Sequence, residues 1–374
     1  MRRFVKKAAA LTMACTMAVG MMTGCSTSKD LKTQNGSKVL FSYDGVDVTL
    51  KEAWIYANMS KAQYDYYYGM YYGTDFWTTQ IGTSEDGEPV LFEDNVKSQI
   101  VAQIKEIIVL NNKAEEYEVE LTDDEKEECA DYAEEFAKST EGSQILKDCG
   151  ASESDMAEIY EKNKIASKVQ QAAVADVDTE VSDDEARETT IARIVYATTK
   201  TDDDGATVDM TEEEKAEALK TAQAALAKIQ AGTSLADVAS EAEYENTSET
   251  FAAGESEEGE AFEAKLADMK DGDLMSEVME CDNGYVVAQL TAYTDRDATD
   301  SNKESIVSER QQEAFYDLYD EWTKDLEADW DYDEDVDQEL WAEVVLHEED
   351  STATEAVEET EASTEAAAEA STQQ

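Results

Sequence analysis

One histidine, five cysteines and 89 carboxylates bound the chemistry open to this chain of 374 residues. A catalytic histidine pair needs two and a histidine-rich metal site more, so His347 alone excludes both. It stands near the C-terminus with no partner histidine and reads as a solvent-exposed side chain. A Ser/His/Asp arrangement has no support, and neither the Walker nor the GxGxxG phosphate loop occurs. The acidic run Asp329–Asp337, DWDYDEDVD, has the oxygen ligands of a cation loop without its spacing. Val336 stands where an EF-hand needs glycine, and Ala342 where it needs glutamate. The run reads as a solvated acidic face, and no metal or cofactor is implied.

Cys15 and Cys25 belong to the extreme N-terminus, which leaves Cys129, Cys149 and Cys281. Cys129 and Cys149 are the only pair near each other in sequence. They read either as a disulfide or, with Cys281, as small buried or free side chains. There is no CxxC to suggest zinc or redox chemistry. The remaining concentration of unusual side chains is YDYYYGMYYGTDFW, with six tyrosines beside Phe76 and Trp77. Tyrosine and tryptophan bind through apolar bodies with polar tips, so the run suits an adaptable surface for unfolded chains. It equally suits a helical core, with Tyr67, Tyr71 and Trp77 as the core members.

The elements that must position these groups follow from periodicity. Val39 and Phe41, a DG turn at Asp44-Gly45, then Val46 and Val48 predict a hairpin. Thr49, with Glu52 three residues on, caps a helix from Leu50. Val96, Ile100, Ile104, Ile107, Ile108 and Leu110 recur at helical spacing, and further helices are expected after Thr122 and in SESDMAEIYEKNKIASKVQQAAVADV. The period then changes. Thr189–Thr198 reads as a buried strand, and an amphipathic helix follows with Ala218, Leu219, Ala222, Leu226 and Ile229 inward and Gly232 just past its end. A short helix capped by Ser234, a strand at ETFAAG, a helix at EAFEAKLADM and two strands about Asn283-Gly284 complete a β-α-α-β-α-β-β block. A last helix carries Ile306, Phe315, Leu318, Tyr319, Trp322 and Leu326 on one face. A lone helix cannot bury such a face, so it should return to the N-terminal helices.

A chain this long exceeds one ordinary core, so two domains are expected. Its formal charge of −59, 89 acids against 30 bases, excludes nucleic acid as a partner and favours basic ones such as lysine-rich unfolded segments. Arg2, Arg3, Lys6 and Lys7 precede a 15-residue apolar run and TGC, the layout of a signal peptide over residues 1–24. MTGC resembles a lipobox, which would leave Cys25 acylated and residues 25–37 as a tether. Residues 350–374, with seven acids and no base, read as a disordered tail.

The order of these parts resembles the extracytoplasmic foldase lipoproteins of the PrsA type and their periplasmic relative SurA. AGTSLADVA is similar to the family's AGEDFAELA, AFEAKLADMKDGDL to PFEDAAFALKVGEIS, and GYVVAQL to GYHIIKV. The resemblance implies an α+β architecture: a mainly helical SurA-N-like chaperone domain over 38–183, completed by a C-terminal helix at 300–348, with a parvulin-like α/β domain inserted at 186–295. Parvulins are peptidyl-prolyl isomerases with one histidine in an ARHIL strand and another in GYHII. Here those slots read Ile194 and Val286, and the pocket methionine four residues before Phe262 is Glu258. Phe262, Tyr285 and Tyr196 are the residues the resemblance places at a peptide. Rotation about a C–N bond breaks no bond, so an apolar pocket could retain some rate, but the losses point to weak or absent isomerase activity.

The leading expectation is a foldase or holdase for exported polypeptides, on the extracytoplasmic face of a bacterial membrane through a lipid on Cys25. An active isomerase, and a cell-surface binding lipoprotein without chaperone activity, are the competing readings; whether two copies pair stays open.

Overall fold

The computed structural model describes residues 35–347, apart from 74, 85–86, 203–204, 243, 245–247 and 282–283. The expected signal peptide, Cys25, the tether up to residue 34, the turn residue Asn283 and the acidic tail lie outside these. The fold is α+β. The chain divides into two compact units, one of residues up to Ala175 together with those from Phe315, the other Asp176–Ala314.

The first unit opens with a hairpin, β1 (Val39–Tyr43) and β2 (Val46–Thr49). Asp44 and Gly45 both take positive φ, 45° and 77°, as a two-residue hairpin turn requires. Thr49 stays extended, its hydroxyl accepts from the Glu52 N–H, and α1 (Leu50–Tyr72) begins. The first turns of α1 are buried through Leu50, Ala53, Trp54, Ile55, Tyr56 and Ala57. A 3₁₀ turn (Asp75–Thr78) and a small hairpin, β3 (Gln80–Thr83) with β4 (Pro89–Leu91), lead to α2 (Phe92–Asn112). Its apolar series Val96, Ile100, Ile104, Ile107 and Leu110 is buried as the spacing predicts. α3 (Asp123–Lys138) starts at the Thr122–Glu125 capping box, and α5 (Glu153–Ala173) at a Ser152–Asp155 box. Between them lies a helix the periodicity did not indicate, α4 (Thr140–Cys149). Ser139 closes α3 and caps α4, and Gly150 ends α4 in the left-handed region. Cys129 and Cys149 are buried free thiols, and burial pushes both up in pKa.

The second unit is built on a four-stranded antiparallel sheet in the order β8-β5-β10-β9. β5 (Glu188–Ala197) and β10 (Gly284–Ala292) are its central pair, with Tyr285 opposite Tyr196, Val286 opposite Val195 and Val287 opposite Ile194. An additional hairpin, β6 (Thr199–Thr201) with β7 (Thr207–Asp209), precedes α6 (Glu212–Gln230) and α7 (Leu235–Glu241). β8 (Ser248–Ala252), α8 (Glu260–Leu266) and β9 (Met279–Cys281) complete it. Side chains alternate across a strand, so the central pair feeds two cores. Ile191, Val195, Val286, Ala288 and Leu290 pack with Phe251, Phe262, Leu266 and Met275 on one face. Ile194, Tyr196, Tyr285 and Val287 pack on the other with side chains of α6 and α7. The hairpins at 80–91 and 199–209 escaped the sequence because their strands are three or four residues long and half-exposed, too short for a period-2 signal.

The boundary between the units falls inside α9 (Arg296–Thr323). Beyond it, α10 (Tyr332–Asp335) and α11 (Gln338–Trp341) are single turns, capped by Asp331 and Asp337. Three aspartates of the acidic run, Asp331, Asp335 and Asp337, therefore satisfy backbone N–H groups. Val336, Leu340, Trp341, Val344 and Leu346 are buried in the first unit. Trp330 packs edge-on against Phe41 and Tyr43 of β1, and the Asp337 N–H donates to the Leu40 carbonyl. His347 is not the free surface residue expected. Its Nδ1 hydrogen-bonds the buried Glu93, whose other oxygen accepts from the Leu346 N–H at 3.0 Å.

Candidate functional site

Two places in the described structure hold side chains that the sequence singled out. The first is the sheet face of the second unit that the resemblance would make a proline pocket. Strand alternation separates the candidates. Val286 and Phe262 lie in one core, and Ile194, Tyr196 and Tyr285 in the other, with Tyr196 and Tyr285 directly opposite across β5 and β10. Ile194 and Val286 thus point to opposite faces and cannot address one substrate. Between Ile191 and Val195, the β5 residues on the Val286 face, stands Arg193, which pairs with Ala288 in the register.

Arg193 is buried within an aliphatic strand, which is costly unless every donor finds an anion. Its Nε lies 3.0 Å from the Glu249 carboxylate on β8, its Nη2 donates to Glu257 at 3.0 Å, and its Nη1 contacts Glu258. Glu258 is itself buried and held by the Ser256 hydroxyl at 2.8 Å. Glu263, on the first turn of α8, accepts from the N–H groups of Gly254 and Ser256 and fixes the loop that carries Glu257 and Glu258. Burial pushes the Glu249 carboxyl above its usual range, against the pull of Arg193. Phe262 is fully buried in the core of the Val286 face. The arrangement is an ion cluster with no proton-transfer pair and no open apolar slot at Phe262. Arg193 and Glu249 were missed as site residues; the signal was a charged residue at an inward position of a strand.

The second place is the C-terminal end of α1 in the first unit. Trp77 is buried, as expected, but Tyr67 and Tyr71 are 60% and 80% exposed and are not core residues. Tyr66, Tyr68, Met70 and Tyr72 are exposed with them. The helix ends here with aromatic side chains on every side. They stand on a base in which Tyr64 stacks on Tyr68 at 5.8 Å and both touch Phe92, while Phe76 meets Trp77 at 4.8 Å. Trp77 Nε1 donates to Asp65 at 2.8 Å, and Lys61 pairs with the other Asp65 oxygen. Burial pushes the Tyr64 phenol up. Gly73, at φ 68°, stops the helix directly after Tyr72. Contiguous exposed apolar surface of this kind marks an interaction site in soluble proteins.

Among the described residues no cluster of metal-ligating side chains occurs, and no helix is long and apolar enough to cross a membrane. No family model matches the chain, and no curated protein does. Solved structures do match. The peptidyl-prolyl isomerase PrsA of Bacillus cereus aligns at 19% identity over 71% of this chain and 99% of its own, with a TM-score of 0.29. The foldase PrsA of Lactococcus lactis aligns at 13% identity over 78% of this chain and 94% of its own, with a TM-score of 0.31. A SurA-like chaperone of Campylobacter jejuni aligns at 12% identity over 63% and 93%, with a TM-score of 0.25.

Proposed function

We propose that this chain is an extracytoplasmic foldase or holdase, tethered to the bacterial membrane through a lipid on Cys25, that shields exported polypeptides before they fold. The observation that carries the reading is the exposed aromatic end of α1, Tyr66 to Tyr72, which a lone soluble protein has no reason to leave uncovered. Phenol rings offer apolar area and polar tips at little conformational cost, which suits transient contact with many sequences. The second unit serves as a binding or spacing module. With Phe262 buried and Arg193 held by three carboxylates, it is not expected to accelerate prolyl isomerisation.

The test is suppression of aggregation of a chemically denatured client by the full chain, beside a variant with Tyr67, Met70 and Tyr71 changed to serine. All three side chains are exposed, so folding should be untouched. Protection is expected from the parent chain and its loss from the variant; equal protection by both would remove the aromatic end from the mechanism. A protease-coupled prolyl-peptide assay on the same samples is expected to show no rate above the uncatalysed one.

A further inference from the structure

The first unit repeats one way of holding a lysine. Lys61 lies 5.9 Å from the Trp77 ring and pairs with Asp65. Lys97 lies 5.6 Å from the Trp341 ring and 3.4 Å from Glu93. Lys105 lies 3.4 Å from the Trp330 ring and 4.4 Å from that of Tyr43, and pairs with Glu327 at 2.7 Å. Lys113 lies 5.3 Å from the Trp322 ring and pairs with Glu116 at 2.7 Å. Each ammonium shares an aromatic face and a carboxylate. The face attracts the cation through the ring quadrupole, and the carboxylate supplies the net charge.

Past Lys61, the end of α1 offers exposed aromatic faces in a stretch that supplies carboxylates and no lysine or arginine. From Ala62 to Val96 the chain has no Lys or Arg, while Asp65, Asp75, Glu85, Asp86, Glu88, Glu93 and Asp94 fall in that stretch. Asp75 and Glu88 are exposed, as are the rings of Tyr66, Tyr67, Tyr71 and Tyr72. A second copy of this chain, itself at a formal charge of −59, is a poor occupant for an anionic surface.

We infer that the exposed tyrosines at the end of α1 recognise unfolded polypeptide segments in which lysine or arginine alternates with apolar residues, each cation settling on a phenol face within this acidic stretch of chain. The inference rests on the chaperone reading above and narrows it to a substrate class. Apolar residues of the client cover Met70 and the ring edges, and its cations distinguish it from neutral or acidic chains of equal hydropathy.

The test measures fluorescence anisotropy of the full chain with three labelled, unstructured peptides. They share their leucines and valines and carry lysine, serine or glutamate between them. The lysine peptide is expected to bind about tenfold tighter than the serine peptide at low salt, with the glutamate peptide weakest and the spread closing at ~0.5 M salt. Changing Tyr66, Tyr67, Tyr71 and Tyr72 to leucine keeps the apolar area and removes the phenol rings. That variant is expected to lose the lysine preference, the lysine and serine peptides then binding with about equal affinity at low salt. Equal binding of the lysine and serine peptides by the parent chain overturns the inference and leaves the chaperone reading standing. A lysine preference that survives in the leucine variant also overturns it, by assigning the preference to the charge of the whole chain. So does a dimer, seen by sedimentation equilibrium, that excludes the peptides and is abolished by the leucine changes. Failure of the parent chain to protect a denatured client would instead defeat the chaperone reading itself.

Discussion

Glu106 gives the sharpest test of the helical packing in the first unit. It sits on α2 among Ile104, Ile107 and Ile108, and burial lifts its carboxyl from the ordinary 4.5 to about 7. The phenols of Tyr316 and Tyr319 on α9 are pushed up in turn, by burial first and by Glu106 next. A carboxyl whose folded pKa is raised binds its proton more tightly in the native state than in the unfolded one. Below pH 4.5 both states are protonated and the group is neutral in its effect; as pH rises toward 7 the unfolded state ionises first and stability falls. At about 1.4 kcal/mol per pH unit the full effect is roughly 3 kcal/mol above pH 7. Glu106→Gln keeps the shape and removes the ionisation. It should stabilise the first unit by up to about 3 kcal/mol at pH 8 and by less than about 0.5 kcal/mol at pH 4. Trp54, Trp77, Trp322, Trp330 and Trp341 are the only tryptophans and all belong to the first unit, so urea unfolding followed by tryptophan fluorescence reads that unit alone. Comparing variant with parent at each pH cancels the chain's large general charge effect. An equal gain at pH 4 and pH 8, or no gain at pH 8, would refute the burial of Glu106 against α9.

The Glu93 carboxyl runs the opposite way. Burial would raise it, but the His347 ring, the Leu346 N–H and Lys97 together hold it below the usual range. Its stabilisation is present above the unfolded pKa and is lost as pH falls through the folded one. Glu93→Gln should cost about 1–3 kcal/mol near pH 7, with the difference fading below about pH 4, in the same fluorescence assay. Arg193→Leu leaves buried carboxylates without their cation and should destabilise the second unit by about 3–5 kcal/mol, read by hydrogen exchange in β5 and β10. Pairing it with Glu249→Leu and Glu258→Met removes the charges together and should recover much of that loss, because a buried ion pair is often no more stabilising than apolar residues of its size.

Much of the molecule was legible in the chain where local signals agree. Asp44-Gly45 demanded a turn with two positive φ values, and Thr49, Thr122 and Ser234 cap helices where their hydroxyls were placed. The candidate site was legible in part. The tyrosine run was conspicuous, yet Tyr67 and Tyr71 were assigned to a core because helical spacing says which residues share a face, not whether anything covers it. Ile194 and Val286 were matched through short motifs in strands, where a one-residue slip moves every side chain to the other face. Only the pairing of Val286 with Val195 and of Val287 with Ile194 showed that the two lie on opposite faces.

By itself, then, the sequence determined the chemistry this protein cannot perform and the places where its helices and turns begin, since composition and capping act within a few residues. The tertiary structure alone decided that His347 meets Glu93, that Arg193 gathers Glu249, Glu257 and Glu258, and that the end of α1 is left open. Those outcomes depend on which distant segments arrive at the same point, and burial, charge pairing and exposure exist only once they have.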